Sequence, residues 1–183
     1  MIEYTVAKTR GDLQQILVLQ STNLPVNIST EEAKDQGFVT VHHHYDLLES
    51  MNQPHPHIIA KAEGQVVGYT LVMLPEFGRR IPVLLPMFDK INQLIYEGIP
   101  LRESGYFVMG QVCVAKAFRG KGVFAGLYQK MKEKMSIHFK YILTEIATRN
   151  TRSMRAHQKV GFKTIHCYKT DSEEWAIVLW DWS

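Results

Sequence analysis

Hydrophobic and polar positions alternate through IEYTVAKT, residues 2–9, a period of two that predicts a first strand. After Gly11 the period lengthens: Leu13, Ile16, Leu17 and Gln20 recur at helical spacing, predicting an amphipathic helix that stops near Pro25. STEEAKDQGF has Ser29 or Thr30 ahead of Glu31 and Glu32, the order of a helix cap; FVTVHHH is short and β-branched; YDLLESMN predicts another helical turn before the breaker QPHPH. Two β-rich runs divided by AEGQ then predict an antiparallel hairpin over residues 58–74.

Residues 75–105 interrupt this pattern, with four of the seven prolines and a helix expected from about Met87 to Tyr96. YFVMGQVCVA resumes as a strand. In VFAGLYQKMKEKMSIHF, Val123, Leu127, Met131 and Met135 form one apolar stripe against Lys130, Lys132 and Lys134. YILTEIA predicts a buried strand, NTRSMRAHQKVGF a capped helix ending at Gly161, and KTIHCYKT with EEWAIVLWDW a closing hairpin around DSEE.

Composition narrows the classes. A chain of 183 residues, 45% hydrophobic, fits one domain over 1–183 with one sizeable core. The net charge of +3, from 21 basic and 18 acidic residues, is too small for a dedicated nucleic-acid binder. Cys113 and Cys167 lie far apart with no CxxC pair, as in a reduced, cytoplasmic protein. MIEYTVAKTRGD lacks a secretory pattern, and no apolar run approaches the ~20 residues that span a bilayer, so no membrane partner is expected.

Chemistry concentrates at AFRGKGVFAG, residues 117–126. A strand, a glycine-rich loop and a helix in series offer backbone N–H groups and the positive end of a helix dipole to an anion; a turn needing positive φ is the alternative. GKGVFA also satisfies G-x-G-x-x-G/A, with Glu145 near the distance of a ribose-binding acid. A dinucleotide site is nevertheless disfavoured, because KAFR separates the strand from the glycines and too little chain follows to complete a wound sheet. GYFVMGQV lacks the Lys and Ser/Thr of a phosphate-binding P-loop.

VCVAKAFRGKGVFAGLYQKMKEK resembles the acetyl-CoA-binding segment of the GCN5-related N-acetyltransferases (GNAT), V-x-x-x-x-[RQ]-x-x-G-x-[GA]. Val114, Arg119 and Gly122 match, and Phe124 stands where the family usually has Gly or Ala. NTRSMRAHQKVGF resembles the second signature through Asn150, Gly161 and Phe162, with His157 in place of the usual Tyr. The element order agrees over nearly the whole chain. The resemblance implies an α/β (α+β) fold: a central mixed, mostly antiparallel sheet of about six to seven strands, splayed between the fourth and fifth and flanked by helices.

It further implies acetyl-CoA as cosubstrate and no metal. Val112, Cys113 and Val114 would face pantetheine with their backbone; Arg119, Gly120, Lys121, Gly122, Val123 and Phe124 would hold pyrophosphate; Asn150 would approach the pantetheine arm. The reaction is acetyl transfer to a primary amine of a small molecule or peptide. It needs a base for the amine, a donor for the developing oxyanion, supplied by a backbone N–H near Cys113 or Val114, and a proton for the thiolate.

His157 takes the family's proton-donor position, or is a buried, hydrogen-bonded helix residue. Glu145 is the first candidate base, against a solvated strand residue; Gln111 cannot titrate, and Glu103 is second. Phe124 and His157 leave a weakly active or inactive CoA-binding module as the alternative function. His42, His43 and His44 cannot converge on one ion, since adjacent strand residues point oppositely, and His55 and His57 bring no ligand spacing. Arg149, Arg152, Arg155 and Lys159 could meet a 3′-phosphate or form solvated faces. Trp175, Trp180 and Trp182 read as sheet packing. The insertion at 75–105 would cover part of the acceptor cleft or make a homodimer contact.

Overall fold

The computed structural model describes residues 1–24 and 41–183. The capped helix expected at STEEAKDQGF and the start of FVTVHHH lie outside the described residues. The alternating N-terminus forms β1 (Ile2–Val6), and the longer period forms α1 (Arg10–Ser21). Thr9 and Asp12 close a reciprocal cap at the start of α1, each side chain accepting from the other's backbone N–H, at 3.1 and 3.0 Å. YDLLESMN is α2 (Tyr45–Asn52), and the expected hairpin is β2 (Ile58–Ala62) with β3 (Gln65–Met73). Its turn places Glu63 and Gly64 at φ 51° and 78°, the two positive values that a tight hairpin turn requires.

The 75–105 segment is a small structure of its own. Two 3₁₀ turns lead into α3 (Leu85–Gln93), followed by a two-stranded hairpin, β4 (Ile95–Tyr96) and β5 (Ile99–Pro100). The expected helix therefore starts two residues earlier and stops three earlier. Leu94 is already extended at ψ 146°, and Glu97–Gly98 repeats the double positive φ of Glu63–Gly64, at 48° and 82°. Ile81, Leu84, Met87, Phe88 and Ile91 are buried, and the Phe88 ring lies where a side chain at Gly78 would stand.

β6 (Phe107–Val114), α4 (Val123–Met135), β7 (Tyr141–Ala147), α5 (Thr151–Val160), β8 (Lys163–Lys169) and β9 (Glu174–Asp181) complete the chain. The seven-stranded sheet has the order β1-β2-β3-β6-β7-β9-β8. β6 and β7 run parallel, registered at Phe107↔Ile142 and Val108↔Leu143, whereas β1–β2, β2–β3, β7–β9 and β8–β9 are antiparallel. The fold is thus the expected mixed, mostly antiparallel sheet flanked by helices.

By contacts the chain divides into two compact units, Met1–Val72 with Gly110–Lys134, and Met73–Met109 with Met135–Ser183. In the first, α4 packs on β3 at Gly68, where an added Cβ would lie 3.1 Å from Val123 and 3.2 Å from Leu127. The predicted stripe of Val123, Leu127 and Met131 is buried there. In the second, Phe107, Ile142, Leu143, Phe162 and Ala176–Leu179 form the core, and Trp180 and Trp182 are half-buried against Phe162 and Phe107. Burying these apolar faces contributes roughly 25 cal/mol per Å².

Candidate active site

In the first unit the glycine-rich loop joins β6 to α4. Gly120 and Gly122 adopt φ 74° and 79°, and an added Cβ at either would meet nothing within 4 Å. The left-handed backbone favours glycine, and both glycines are exposed, with no group among the described residues within 4 Å of where a Cβ would stand. The first turn of α4 begins at Val123, and a helical bond runs from Gly126 N–H to Gly122 O at 3.0 Å. The Phe124 ring lies 5.0 Å from the ring of Tyr128, one helical turn on. It packs along the helix, and Tyr128 is fully buried.

Arg119 braces this loop. Its Nε donates to Val114 O at 3.0 Å, and a terminal nitrogen donates to Asn23 Oδ1 at 2.5 Å, which ties the loop to the ends of β6 and α1. Lys121 Nζ lies 5.6 Å above the Phe118 ring. On β6, Ala115 N–H donates to Val67 O on β3 at 2.8 Å. Backbone groups alternate sides along a strand, so the amide of Cys113 also points to β3, and those of Val112 and Val114 point away from it. Of the two amides expected as oxyanion donors, that of Val114 is on the side away from β3, where it also lies within reach of the Cys113 sulfur. The Cys113 thiol, pushed up to about 12 by burial, stays protonated and is no nucleophile.

Gln111, on β6, is buried in a polar cluster with Gln20, His43 and Tyr69. Its Oε1 accepts from Gln20 Nε2 and from the Tyr69 hydroxyl, both at 2.6 Å, and its Nε2 donates to Val41 O at 2.8 Å. Residues 41–44 form no strand, contrary to the β-branched expectation, and His43 is buried between exposed His42 and His44, whose rings lie 5.5 Å apart. His57 is a core residue, its Nδ1 accepting from Val72 N–H and its Nε2 beside Leu48 O at 3.1 Å.

In the second unit, Glu145 on β7 is half-buried, and its Oε2 accepts from the Tyr168 hydroxyl on β8 at 2.5 Å. Burial raises its pKa to about 7; the Tyr168 hydrogen bond opposes that rise. Glu145 is therefore not on a solvated face. Tyr168 was invisible as a partner because it lies 23 residues away in sequence. The register of the closing hairpin, Tyr168↔Trp175 with Glu145↔Ile177 on the far side of β9, brings the two together. Glu103 is exposed and paired with Arg102.

Asn150 caps α5, its Oδ1 accepting from Ser153 N–H at 3.1 Å, which leaves its NH₂ as the side chain's donor. His157 has the character of the second alternative, 1% exposed and edge-on to Phe162 at 5.1 Å. Burial lowers its pKa to about 4, so the ring is neutral at pH 7. Its Nδ1 is 2.8 Å from Ser153 O, which only accepts; the single ring proton is on Nδ1, and Nε2 has none to give. Arg149 pairs with Glu173 across 2.5 Å. Among the described residues no group of three His, Cys, Asp or Glu side chains could hold a metal, and no helix is long and apolar enough to cross a membrane.

Residues 22–162 match the profile of the acetyltransferase (GNAT) family. No curated protein matches the chain. Among solved structures, the chain is similar to an N-acetyltransferase from Staphylococcus aureus Mu50, at 19% identity and a TM-score of 0.63, covering 100% of this chain and 99% of that one. yncA from Salmonella typhimurium, solved with its cofactor acetyl-CoA, aligns at 14% identity and 0.64, covering 100% and 94%. The ribosomal-protein-S18-alanine N-acetyltransferase from Escherichia coli aligns at 11% and 0.63, covering 100% and 95%. At these identities the likeness is one of fold.

Proposed function

Because the chain belongs to the GNAT acetyltransferase family, whose members carry out acetyl-CoA-dependent acetyl transfer, we propose that it acetylates a primary amine of a small molecule or peptide by direct attack on the thioester, with Glu145 as general base. The observation that carries this reading is the half-buried Glu145 carboxyl, raised to about 7 and held by Tyr168. A carboxylate with its pKa near the working pH is the most effective proton acceptor for an ammonium that must become a neutral nucleophile.

Acetyl-CoA supplies the activated acyl group. Gly120 and Gly122 leave room beside the first turn of α4 for its pyrophosphate, and the amides of Val123 and Phe124 complete the cradle. The Phe124 ring packs against Tyr128 along the helix, so the departure from the family pattern does not by itself favour the inactive module. Val114 N–H is the donor for the charge that develops on the thioester oxygen. Asn150 NH₂ binds the pantetheine arm. Glu145 takes the amine proton, the C–N bond forms as the C–S bond breaks, and the departing thiolate takes its proton from solvent. His157 holds α5 against Phe162.

The test is thiol release from acetyl-CoA with glycinamide, ethylamine, putrescine and an alanine-start tetrapeptide, on the wild type and Glu145→Gln. The wild-type kcat/KM rises with pH through about 7, where the carboxylate forms. Glu145→Gln falls by about 10²–10⁴-fold and loses that rise. An unchanged profile removes Glu145 from the chemistry, and no thiol release with any amine removes the proposed substrate class.

A further inference from the structure

The buried polar cluster of the first unit has its hydrogens fixed by groups that can play only one part. His43 N–H can only donate, and it donates to Gln20 Oε1 at 2.8 Å; Val41 O can only accept, and it takes Gln111 Nε2 at 2.8 Å. Both side-chain amides are thereby oriented. Gln20 Nε2 then donates to Gln111 Oε1 at 2.6 Å and to His43 Nδ1 at 2.9 Å, while the Tyr69 hydroxyl donates to the same Gln111 oxygen at 2.6 Å.

It follows that His43 Nδ1 is an acceptor. In a ring that burial keeps neutral, the proton then sits on Nε2. His43 is 1% exposed, and its Nε2 is buried with no hydrogen-bond partner among the described residues. Folding tolerates few such donors, and one whose ring is oriented through Gln20 calls for an acceptor beyond the described residues.

Resting on the acetyltransferase reading above, we propose that His43 Nε2–H binds a carbonyl-type oxygen of a reactant, on the amine acceptor or on the thioester, and that Gln20, Gln111 and Tyr69 hold it for that purpose. The chemistry sets the class. The cluster is uncharged throughout, so it suits a neutral oxygen rather than a phosphate. It offers a proton at Nε2 and no lone pair, so it rejects an ammonium. Gln111 lies on β6 three residues before Val114, so the donor is tied to the strand whose amide is proposed to face the thioester oxygen.

The experiment uses full-length chain carrying ¹⁵N-histidine, read by long-range ¹H–¹⁵N correlation at pH 7. His43 is expected as the Nε2–H tautomer. A shift of that signal with acetyl-CoA but not CoA assigns the oxygen to the thioester; a shift with glycinamide but not ethylamine assigns it to the acceptor. Either result supports the proposal, and no shift with any of the four overturns it.

Two variants separate ligand binding from packing. His43→Asn keeps an oxygen toward Gln20 and removes the Nε2 donor; His43→Gln carries an amide donor to the Nε2 position. The first is expected to lose about tenfold or more in kcat/KM for thiol release with the best amine of the panel, and the second to recover most of that loss. Equal loss in both, or loss in neither, overturns the proposal. Absence of thiol release in the wild type refutes the transferase reading instead, and the nuclear shifts still decide this one.

Discussion

Acidification from pH 7 to pH 5 should remove about 4 kcal/mol of stability, because three buried histidines must stay neutral for the chain to remain folded. Burial lowers His43 to about 4, His57 to about 3 and His157 to about 4, from an ordinary 6.5. For a base depressed in the folded state, the unfolded chain binds more protons between the two values. Stability is then complete above the unfolded value of 6.5 and is lost as pH falls toward the folded one. At 1.36 kcal/mol per pH unit, each histidine forfeits about 2 kcal/mol on reaching pH 5.

Glu145 acts in the opposite sense. Its folded value, raised from 4.5 to about 7, makes the folded state the better proton binder between those values, so the same acidification returns about 2 kcal/mol. His157 and Glu145 belong to the second unit and nearly cancel, whereas His43 and His57 belong to the first and add. The net loss compares with a whole stability of roughly 5–15 kcal/mol. Urea unfolding followed by far-UV circular dichroism at pH 7 and pH 5 measures it. Equal stabilities within about 1 kcal/mol would mean that the histidines are not held neutral, and the burial argument would be wrong.

Two substitutions in the loop test different parts of the cradle. Gly122→Ala keeps open space around the new Cβ but leaves it at φ 79°, so the unliganded chain should lose about 1–2 kcal/mol in urea unfolding; calorimetry should show acetyl-CoA bound at least about tenfold more weakly, and undiminished affinity would mean the space is not used. Phe124→Gly should change acetyl-CoA affinity by less than about tenfold, since the ring packs on Tyr128, and a much larger gain would show that the ring obstructs the ligand.

The fold was legible wherever local periodicity and turn chemistry agreed. AEGQ predicts a hairpin turn because β-rich runs flank it, and Glu63–Gly64 has the required positive φ pair. At the second Glu–Gly pair, 97–98, the helix expected over 87–96 instead takes in the strand residues Ile95 and Tyr96, because only two strand residues stand on each side, too few for a period of two to declare itself. Motif positions were legible too, and they fixed Arg119, Gly120, Gly122 and Asn150 to one loop and one cap. The partners of Arg119 were not: Asn23 lies 96 residues away, and nothing in AFRGKG says that its arginine braces α1 rather than facing a phosphate.

Protonation state was the least legible property of the site, and the proposed roles rest on it. His157 and Glu145 both stood as ambiguous titratable groups, and their sequence neighbours give no reason to move one pKa down and the other up. Burial does both, since removing water disfavours whichever form is charged: the imidazolium of His157 and the carboxylate of Glu145. The same physical cause makes the histidine a poorer proton donor and the glutamate a better proton acceptor at neutral pH. That asymmetry, rather than any motif, is the ground on which Glu145 and not His157 is proposed to carry the proton.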